Sequence, residues 1–539
     1  MTADSTHNPT SPSHPASNAA GNAAFASFNL PALLASLPAR ISHIPVQAAA
    51  RDPQRVSLIE DARQLTRQQL VDAIDATAAQ LRDQGVRAGD RVMIVAENSI
   101  VQIVLLFATA KLDAWALVSN ARLCASELDA IRTHAQPRVV AYAVEASPDA
   151  RQHAQRHGAQ PAPALASGID IGAWSWSADD TAIAEPVEAA SEKQCAALIY
   201  TTGTTGAPKG VMLSHRNLMF IATVSSTLRR VGDDDVVYAV LPISHVYGLA
   251  SVCLGSLCAG ATLRLASRFS PEAVRRALAE EQVSIFQGVP AMHAKLLEHL
   301  QAQGHRWSAP RLRFAYSGGS PLDAALKARV ESVYGVPLHN GYGMTESSPT
   351  VAQTMLDTPR ADVSVGQVIP GVEVRFVSLD GIDARPGEIG ELWVRGPNVM
   401  LGYYRNPEQT LATVTADGWL KTGDLAQQSP DGALSIVGRS KELIIRSGFN
   451  VYPAEVEQAL NAHPEVVQSA VIGRAVQGNE EVVAFVELAA GATVTPAELI
   501  EWCSSRLAPY KRPADVRVLA ALPAASTGKI LKHRLRDLV

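Results

Sequence analysis

Cysteine is scarce in this sequence of 539 residues: Cys124, Cys195, Cys253, Cys258 and Cys503 are scattered, with no CxxC pair. That excludes a disulfide framework and a cysteine-ligated zinc site, and it fits a reducing compartment, the cytoplasm by default. Long apolar runs are missing as well. Stretches such as Leu30 to Leu37 are too short to cross a bilayer, and no uninterrupted run of about 18 apolar residues occurs, so no integral membrane segment is expected. Strong charge imbalance is also absent. A net charge of −5 excludes a general polyanion-binding role, and no nucleic-acid partner is expected. Residues 1–28 lack a basic start followed by an apolar core, so they do not read as a secretory signal; rich in Ser, Thr, Asn, Pro, Ala and His, they read as a disordered tail.

What is present is ordinary for a soluble globular enzyme, with 47% hydrophobic and 18% charged residues. The length allows roughly two to four domains of about 150 residues each. From Pro31 to Val187 helix and strand alternate. Gln68 to Gln84 carries Leu70, Ile74, Ala78 and Leu81 on one helical face and stops at Gly85, and Asp90 then opens the apolar run Val92 to Ala96. Val101 to Ala110 reads as a helix and Val139 to Val144 as a strand, followed by a polar connection from Ser147 to Glu192.

The stretch Leu198 to Asn217, LIYTTGTTGAPKGVMLSHRN, is the centre of the chain. A buried strand, Ala196 to Tyr200, breaks into alternating Thr and Gly closed by Pro208, Lys209 and Gly210. Gly203, Gly206 and Gly210 let backbone N–H groups approach an anion. Thr201, Thr202, Thr204 and Thr205 add hydroxyl donors, and Lys209 adds a cation. The spacing departs from the Walker pattern, since Lys209 stands three positions after Gly206 and Gly210 follows it. A flexible linker is the plain alternative, but linkers rarely combine Pro-Lys-Gly with a preceding apolar strand. By itself the loop implies phosphate binding and no particular reaction.

Further strands end in turns of the same kind. Val236 to Leu241 delivers Pro242-Ile-Ser-His-Val-Tyr-Gly248, and Leu312 to Ser317 delivers Gly318-Gly319-Ser320-Pro321. In open parallel sheets ligands sit at the carboxyl ends of strands, so these loops point to one shared site. From Gly366 shorter, Gly- and Pro-punctuated strands read as an antiparallel or barrel-like section. After Gly438 an α+β pattern follows, and from Arg506 onward eight Lys and Arg residues face two Asp, which suits a phosphate-bearing ligand or a solvated basic face equally.

Together, TTGTTGAPKG at 201–210, the Pro242 to Gly248 segment, GYGMTES at 341–347, GELWVRGP at 390–397, TGD at 422–424, GRSKELI at 438–444 and TGK at 527–529 resemble the adenylate-forming superfamily of acyl-CoA synthetases, adenylation domains and luciferases. The resemblance implies an α/β fold. A large multi-layer domain with parallel-type sheets and a small β-barrel-like section is expected over residues 29–438, and a small mobile α+β domain over 439–539, hinged near Lys441. It also implies the reaction: ATP-dependent adenylation of a carboxylate with release of pyrophosphate, then transfer of the acyl group to CoA with release of AMP.

The resemblance carries roles to individual residues. Thr201 to Lys209 would hold the β- and γ-phosphates, Thr345 would bond the α-phosphate, and Glu346 would bind Mg²⁺, a hard cation suited to carboxylate and phosphate oxygens. Adenine would lie against Tyr342, between Gly318-Gly319-Ser320-Pro321 and Asn340-Gly341, with Gly343 beside it. Asp424 would accept from the ribose hydroxyls with Arg439 alongside, a structural salt bridge being the alternative for that pair. Lys529 would reach the acyl carboxylate and the α-phosphate. Ser447, Gly448 and Phe449 would line the CoA tunnel. His245, Val246, Tyr247, Gly248, Val289, Gly318, Met344 and Pro349 would form the acyl pocket; they include no Lys or Arg, which favours a fatty or aromatic monocarboxylate over a dicarboxylate.

Two alternatives to a CoA ligase are an acyl-AMP ligase that loads a separate carrier protein and a catalytically silent nucleotide-binding protein. Ten residues follow Lys529, so no attached carrier domain is expected. Pro523 precedes Gly528-Lys529 at a spacing that resembles the one recognised by lysine acetyltransferases, which makes such an enzyme a candidate partner. A homodimer is a further possibility.

Overall fold

The computed structural model describes residues 29–202, 208–378, 380–447, 449–476, 479–489, 491–524 and 530–539. The tail 1–28 and the expected ligands Gly203, Thr204, Thr205, Gly206, Gly448 and Lys529 lie outside the described residues.

Helix Arg67–Asp83 starts at Thr66, whose side chain accepts from Gln69 N while the Gln69 side chain accepts from Thr66 N, and it buries Leu70, Ile74, Ala78 and Leu81 as the periodicity predicts. Strand Arg91–Ala96 follows with all six residues buried, the pattern of a strand covered on both faces. It lies between the parallel strands Trp115–Asn120 and Val139–Tyr142 in a sheet of eight strands. Helix Ile100–Lys111 is buried from Ile100 to Ala110, so no solvent face interrupts its apolar sequence. Among these elements, strand Trp115–Asn120 and helix Ala125–Ala135 are not apparent in the sequence reading. The polar connection Ser147 to Glu192 also holds more structure than expected. It contains helix Pro148–Arg156, started by Ser147 as N-cap and Pro148, and strands Gln160–Pro161 and Ser175–Ala178.

A second sheet has nine strands. Six neighbours in it run parallel, in the order Leu338–Gly343, Phe314–Ser317, Ile285–Gly288, Val236–Ala239, Thr262–Leu265 and Val56–Glu60. Antiparallel strands Arg63–Thr66 and Thr350–Gln353 flank them. Helix His215–Leu228, with ten buried residues, and helix Ile100–Lys111 belong to one apolar core that takes in side chains from both sheets. The section after Gly366 is the antiparallel one of the two forms expected: Glu373–Val377, Gly390–Arg395, Leu420–Gln428 and Leu434–Arg439 pair in that order. Beyond it, strands Val466–Val476, Asn479–Leu488 and Asp515–Leu519 form a three-stranded sheet, and Val456, Leu460, Val471, Leu499 and Cys503 gather in a separate core. Among the described residues no helix is long and apolar enough to cross a membrane.

Three buried histidines give the fold an acid sensitivity. His215 accepts from Ile41 N through Nδ1 at 3.1 Å, His293 lies against Tyr334 and the Tyr316 carbonyl, and His339 against Thr354. Burial lowers their pKa values to about 3, about 4 and about 4 respectively. These lie below the unfolded value of about 6.5, so unfolding takes up protons once the pH falls below that value. Stability is therefore intact above pH 6.5 and declines towards pH 4, by about 1.4 kcal/mol per pH unit for each ring. The melting temperature should drop steeply between pH 6.5 and 5; a flat profile would contradict this account.

Candidate active site

The central hairpin is built by strand Cys195–Thr202 turning into the antiparallel strand Pro208–Ser214, with Thr201 opposite Lys209 and Thr202 opposite Pro208. Pro208 to Gly210, expected as the close of a loop, thus already belong to the return strand. The apolar side chains Val211 and Leu213 are fully buried and draw the chain into the sheet directly after Lys209. On its other edge this strand pairs with Gly402–Tyr403, and Tyr404 N donates to the Gly210 carbonyl at 2.7 Å.

That pairing creates a contact between residues nearly two hundred positions apart. The Lys209 ammonium stands 5.4 Å over the Tyr403 ring and donates to Gln409 Oε1 at 3.2 Å. The Tyr403 hydroxyl in turn donates to Glu346 Oε1 at 2.8 Å. Burial and the Glu346 carboxylate hold the Tyr403 hydroxyl far above its usual range, so it remains a donor. Glu346 sits in the short 3₁₀ turn Thr345–Ser347, and its own carbonyl accepts from Met400 N at 2.9 Å. One cation, one ring and one carboxylate thus form a row from the hairpin to the GYGMTES segment.

A second cluster lies at the end of strand Leu338–Gly343. The Tyr342 hydroxyl donates to Asp424 Oδ2 at 2.5 Å, and Arg439 Nε donates to Asp424 Oδ1 at 2.8 Å. Sheet register places Asp424 directly opposite Arg439 on strands Leu420–Gln428 and Leu434–Arg439. Asp424 raises the Arg439 pKa, and burial together with Asp424 pushes the Tyr342 phenol well above its usual value. Each carboxylate oxygen has a second lone pair, so Asp424 can still accept from a diol. Asn340 is committed elsewhere: its amide donates to the Val363 and Ser364 carbonyls and its Oδ1 accepts from Gly341 N. These bonds fix the strand end.

The expected acyl-pocket residues come from four segments. After strand Val236–Ala239 the chain turns through His245, whose N donates to the Pro242 carbonyl at 2.9 Å, into the π-helical segment Tyr247–Leu254. Such segments recur at functional sites. A side chain at Gly248 would overlap the Leu241 and Pro242 carbonyls, so glycine is required there. A side chain at Gly318 would press on both Tyr247 and Tyr316, and the nearest atom to one at Gly319 would be a Val289 methyl. Tyr247, Val289, Tyr316 and the Gly318-Gly319 turn therefore adjoin. Met344 N donates to the Pro349 carbonyl at 3.1 Å.

The Tyr247 hydroxyl is buried with no hydrogen-bond partner among the described residues. Behind the Tyr316 ring, at 4.4 Å, lies the buried guanidinium of Arg229, which donates to Gln287 and Gln353. The expected pocket residues include no arginine, but Arg229 lies against the ring of the adjoining Tyr316.

Lys441 is exposed in the turn Ser440–Glu442, where the Ser440 hydroxyl donates to the Gly423 carbonyl at 3.1 Å. Further on, Ser447 N donates to Asn479 Oδ1 at 2.7 Å and Phe449, half exposed, stacks on Tyr510 with ring centroids 4.6 Å apart. Tyr403, Gln409 and Tyr316 are site-adjacent residues that sequence reasoning missed. A signal for the first two existed in GYYRNPEQT at 402–410, where aromatic and polar residues follow a glycine just after GELWVRGP.

Residues 46–404 match the family described as AMP-binding enzyme, and residues 455–529 match the AMP-binding enzyme C-terminal domain. The chain is 35% identical to a feruloyl-CoA synthase from Amycolatopsis sp, covering 91% of this chain and 97% of that one. It is 34% identical to an indoleacetate–CoA ligase from Aromatoleum aromaticum, covering 91% and 96%. Its structure is similar to that of O-succinylbenzoate coenzyme A synthetase from Bacillus subtilis in complex with ATP and magnesium ion, with a TM-score of 0.78, 29% identity and coverage of 92% and 99%. With the expected charges gathered in two clusters, and matches over both parts of the chain, the protein belongs to the AMP-binding enzyme family and is an ATP-dependent carboxylate–CoA ligase.

Proposed function

We propose that the substrate is an aromatic monocarboxylic acid and that the two charged clusters divide the adenylation step between them. The observation that carries the division is that Lys209, Tyr403 and Glu346 contact one another in a row while Tyr342, Asp424 and Arg439 contact one another in a trio. An acyl carboxylate oxygen attacks the α-phosphorus, and the bond to pyrophosphate breaks; the CoA thiolate then attacks the acyl carbonyl and AMP leaves. Lys209 and the Thr201 to Gly206 segment neutralise the departing pyrophosphate, and Thr345 donates to the α-phosphoryl oxygen. Asp424 binds the ribose, Tyr342 bounds the adenine, and Lys529 joins the acyl carboxylate to the α-phosphate. Lys441 serves as hinge between a domain 29–438 and a domain 439–539, which brings Lys529 in for adenylation and Ser447 to Phe449 in for CoA.

Glu346 suits Mg²⁺: it is a hard oxygen donor, only one of its oxygens is engaged by Tyr403, and a single carboxylate with phosphate oxygens is a usual set for this ion. When bound, the ion supplies charge neutralisation on the phosphates. Tyr403 orients the carboxylate. Tyr403→Phe keeps the ring beside Lys209 and removes one hydrogen bond to a charged group, so pyrophosphate exchange should fall about tenfold and require more Mg²⁺. An unchanged Mg²⁺ dependence would separate Tyr403 from this role.

The small and apolar pocket residues support a monocarboxylate. The unpartnered Tyr247 hydroxyl supports a ring that carries an oxygen acceptor over a plain alkyl tail, and the similarity to feruloyl-CoA synthase and indoleacetate–CoA ligase points the same way. The test is CoA-dependent AMP release over a panel of short, long and aromatic acids. Preference for hydroxylated or methoxylated aromatic acids is expected; a strong preference for a dicarboxylate overturns the pocket reading, and AMP release only with a carrier protein overturns CoA as acceptor. The cytoplasm is the proposed compartment. Acetylation of Lys529 would neutralise its ammonium and silence adenylation while sparing thioester formation; acetylated enzyme that adenylates normally refutes this.

A further inference from the structure

Away from both clusters, Glu272, His299 and His305 bring three metal-ligating atoms within 4.8 Å of one another. Local sequence builds the arrangement. Helix Pro290–Gln303 carries His299 in its last turns and ends at Gly304, whose φ of +63° suits glycine. His305 N then donates back to the Leu300 carbonyl at 2.9 Å, which folds His305 over the helix end and leaves the two imidazoles 5.8 Å apart. Glu272 comes from the first turn of the neighbouring helix Pro271–Glu280. Its Oε2 lies 3.0 Å from His299 Nε2 and 3.8 Å from His305 Nε2. Tetrahedral zinc with bonds of about 2.0–2.1 Å separates its ligand atoms by roughly 3.3 Å, so small side-chain movements complete the set.

We propose that Glu272, His299 and His305 form a surface site for Zn²⁺, with water as fourth ligand. Two imidazoles and one carboxylate favour a borderline transition metal over Mg²⁺, which prefers oxygen ligands. His299 is nine residues beyond Pro290, roughly 14 Å along the helix from its start beside Val289, so the site is distinct from the acyl pocket. Bound metal would pin the two helices to each other. The competitor is Arg275, which donates to Glu272 Oε1 at 2.6 Å and Oε2 at 2.9 Å; its charge opposes the ion at the same carboxylate.

The competition yields a test in both directions. The full-length protein, freed of metal with a chelator and kept without ATP, is titrated calorimetrically with zinc chloride. One saturable site is expected, weakened at least tenfold by His299→Ala or His305→Ala and lost in the double variant. Arg275→Ala should bind zinc at least threefold more tightly, since it releases the carboxylate, and millimolar Mg²⁺ should not compete. Circular dichroism confirms that each variant is folded, and zinc should raise the melting temperature of the wild type and not of the double variant. No saturable binding overturns the proposal, and so does binding unchanged in the double variant, which would place zinc elsewhere, for example at the exposed Cys124.

Discussion

Lys529→Ala is expected to lower acyl-adenylate formation about 10³-fold, the scale of losing one fixed charge or donor at a developing anion in a water-excluded site. Attack of a carboxylate on a phosphate brings two anions together, and Lys529 is the cation proposed to contact both at once. In the thioester half-reaction the electrophile is already a mixed anhydride and the nucleophile a thiolate, so that need disappears. Pyrophosphate exchange should therefore collapse while conversion of supplied acyl-adenylate and CoA to thioester stays within about threefold. Arginine at the same position should rescue poorly, because its planar fork cannot replace a compact ammonium between two oxygen acceptors. Equal loss in both half-reactions would remove Lys529 from the α-phosphate and make its effect structural.

Asp424→Ala should raise the ATP dissociation constant about 30- to 100-fold, the scale of losing hydrogen bonds to one charged group. Asp424 is buried, holds Tyr342 and Arg439 in place, and is the acceptor proposed for the ribose diol. Tyr342→Phe is the control, since it removes the hydrogen bond to Asp424 Oδ2 and keeps the ring. If ribose binding is the role of Asp424, Tyr342→Phe should cost less than fivefold in ATP affinity. A 2′-deoxy-ATP analogue should bind more weakly than ATP to the wild type and equally to Asp424→Ala. A variant with lowered melting temperature and unchanged ATP affinity would favour the plain salt-bridge reading of Asp424 and Arg439.

The legible parts of the chain were those whose signal is local. Helix Arg67–Asp83 announces itself through the spacing of Leu70, Ile74, Ala78 and Leu81 and the stop at Gly85, and strand Arg91–Ala96 through an unbroken apolar run. Helix Pro148–Arg156 was lost in a polar stretch because a surface helix needs few apolar residues; only its Ser-Pro start marked it. The π-helical segment Tyr247–Leu254 was also hidden. Its register depends on the tight approach of Gly248 to the Leu241 and Pro242 carbonyls, a contact that no periodicity encodes.

The site divides along the same line. Thr201 to Lys209 is a contiguous pattern of hydroxyl, glycine and charge that points to phosphate by itself, whereas Thr345-Glu346, Asp424, Arg439 and Lys529 take their expected roles from the motifs that contain them. Pairing between distant segments was legible in neither way. Tyr403 meets Lys209 and Glu346 only because Gly402–Tyr403 pairs with Pro208–Ser214, and Tyr342 meets Asp424 only because strand Leu338–Gly343 of one sheet meets strand Leu420–Gln428 of another. Likewise Glu272 meets His299 and His305 through packing of two helices and the backward turn at Gly304. Short motifs along the sequence carried the resemblance that implies the family and the reaction, while their residue types alone pointed only to phosphate binding. Tertiary structure alone decided which groups touch, because strand register and helix packing are set by the burial of apolar side chains far from the charges they bring together.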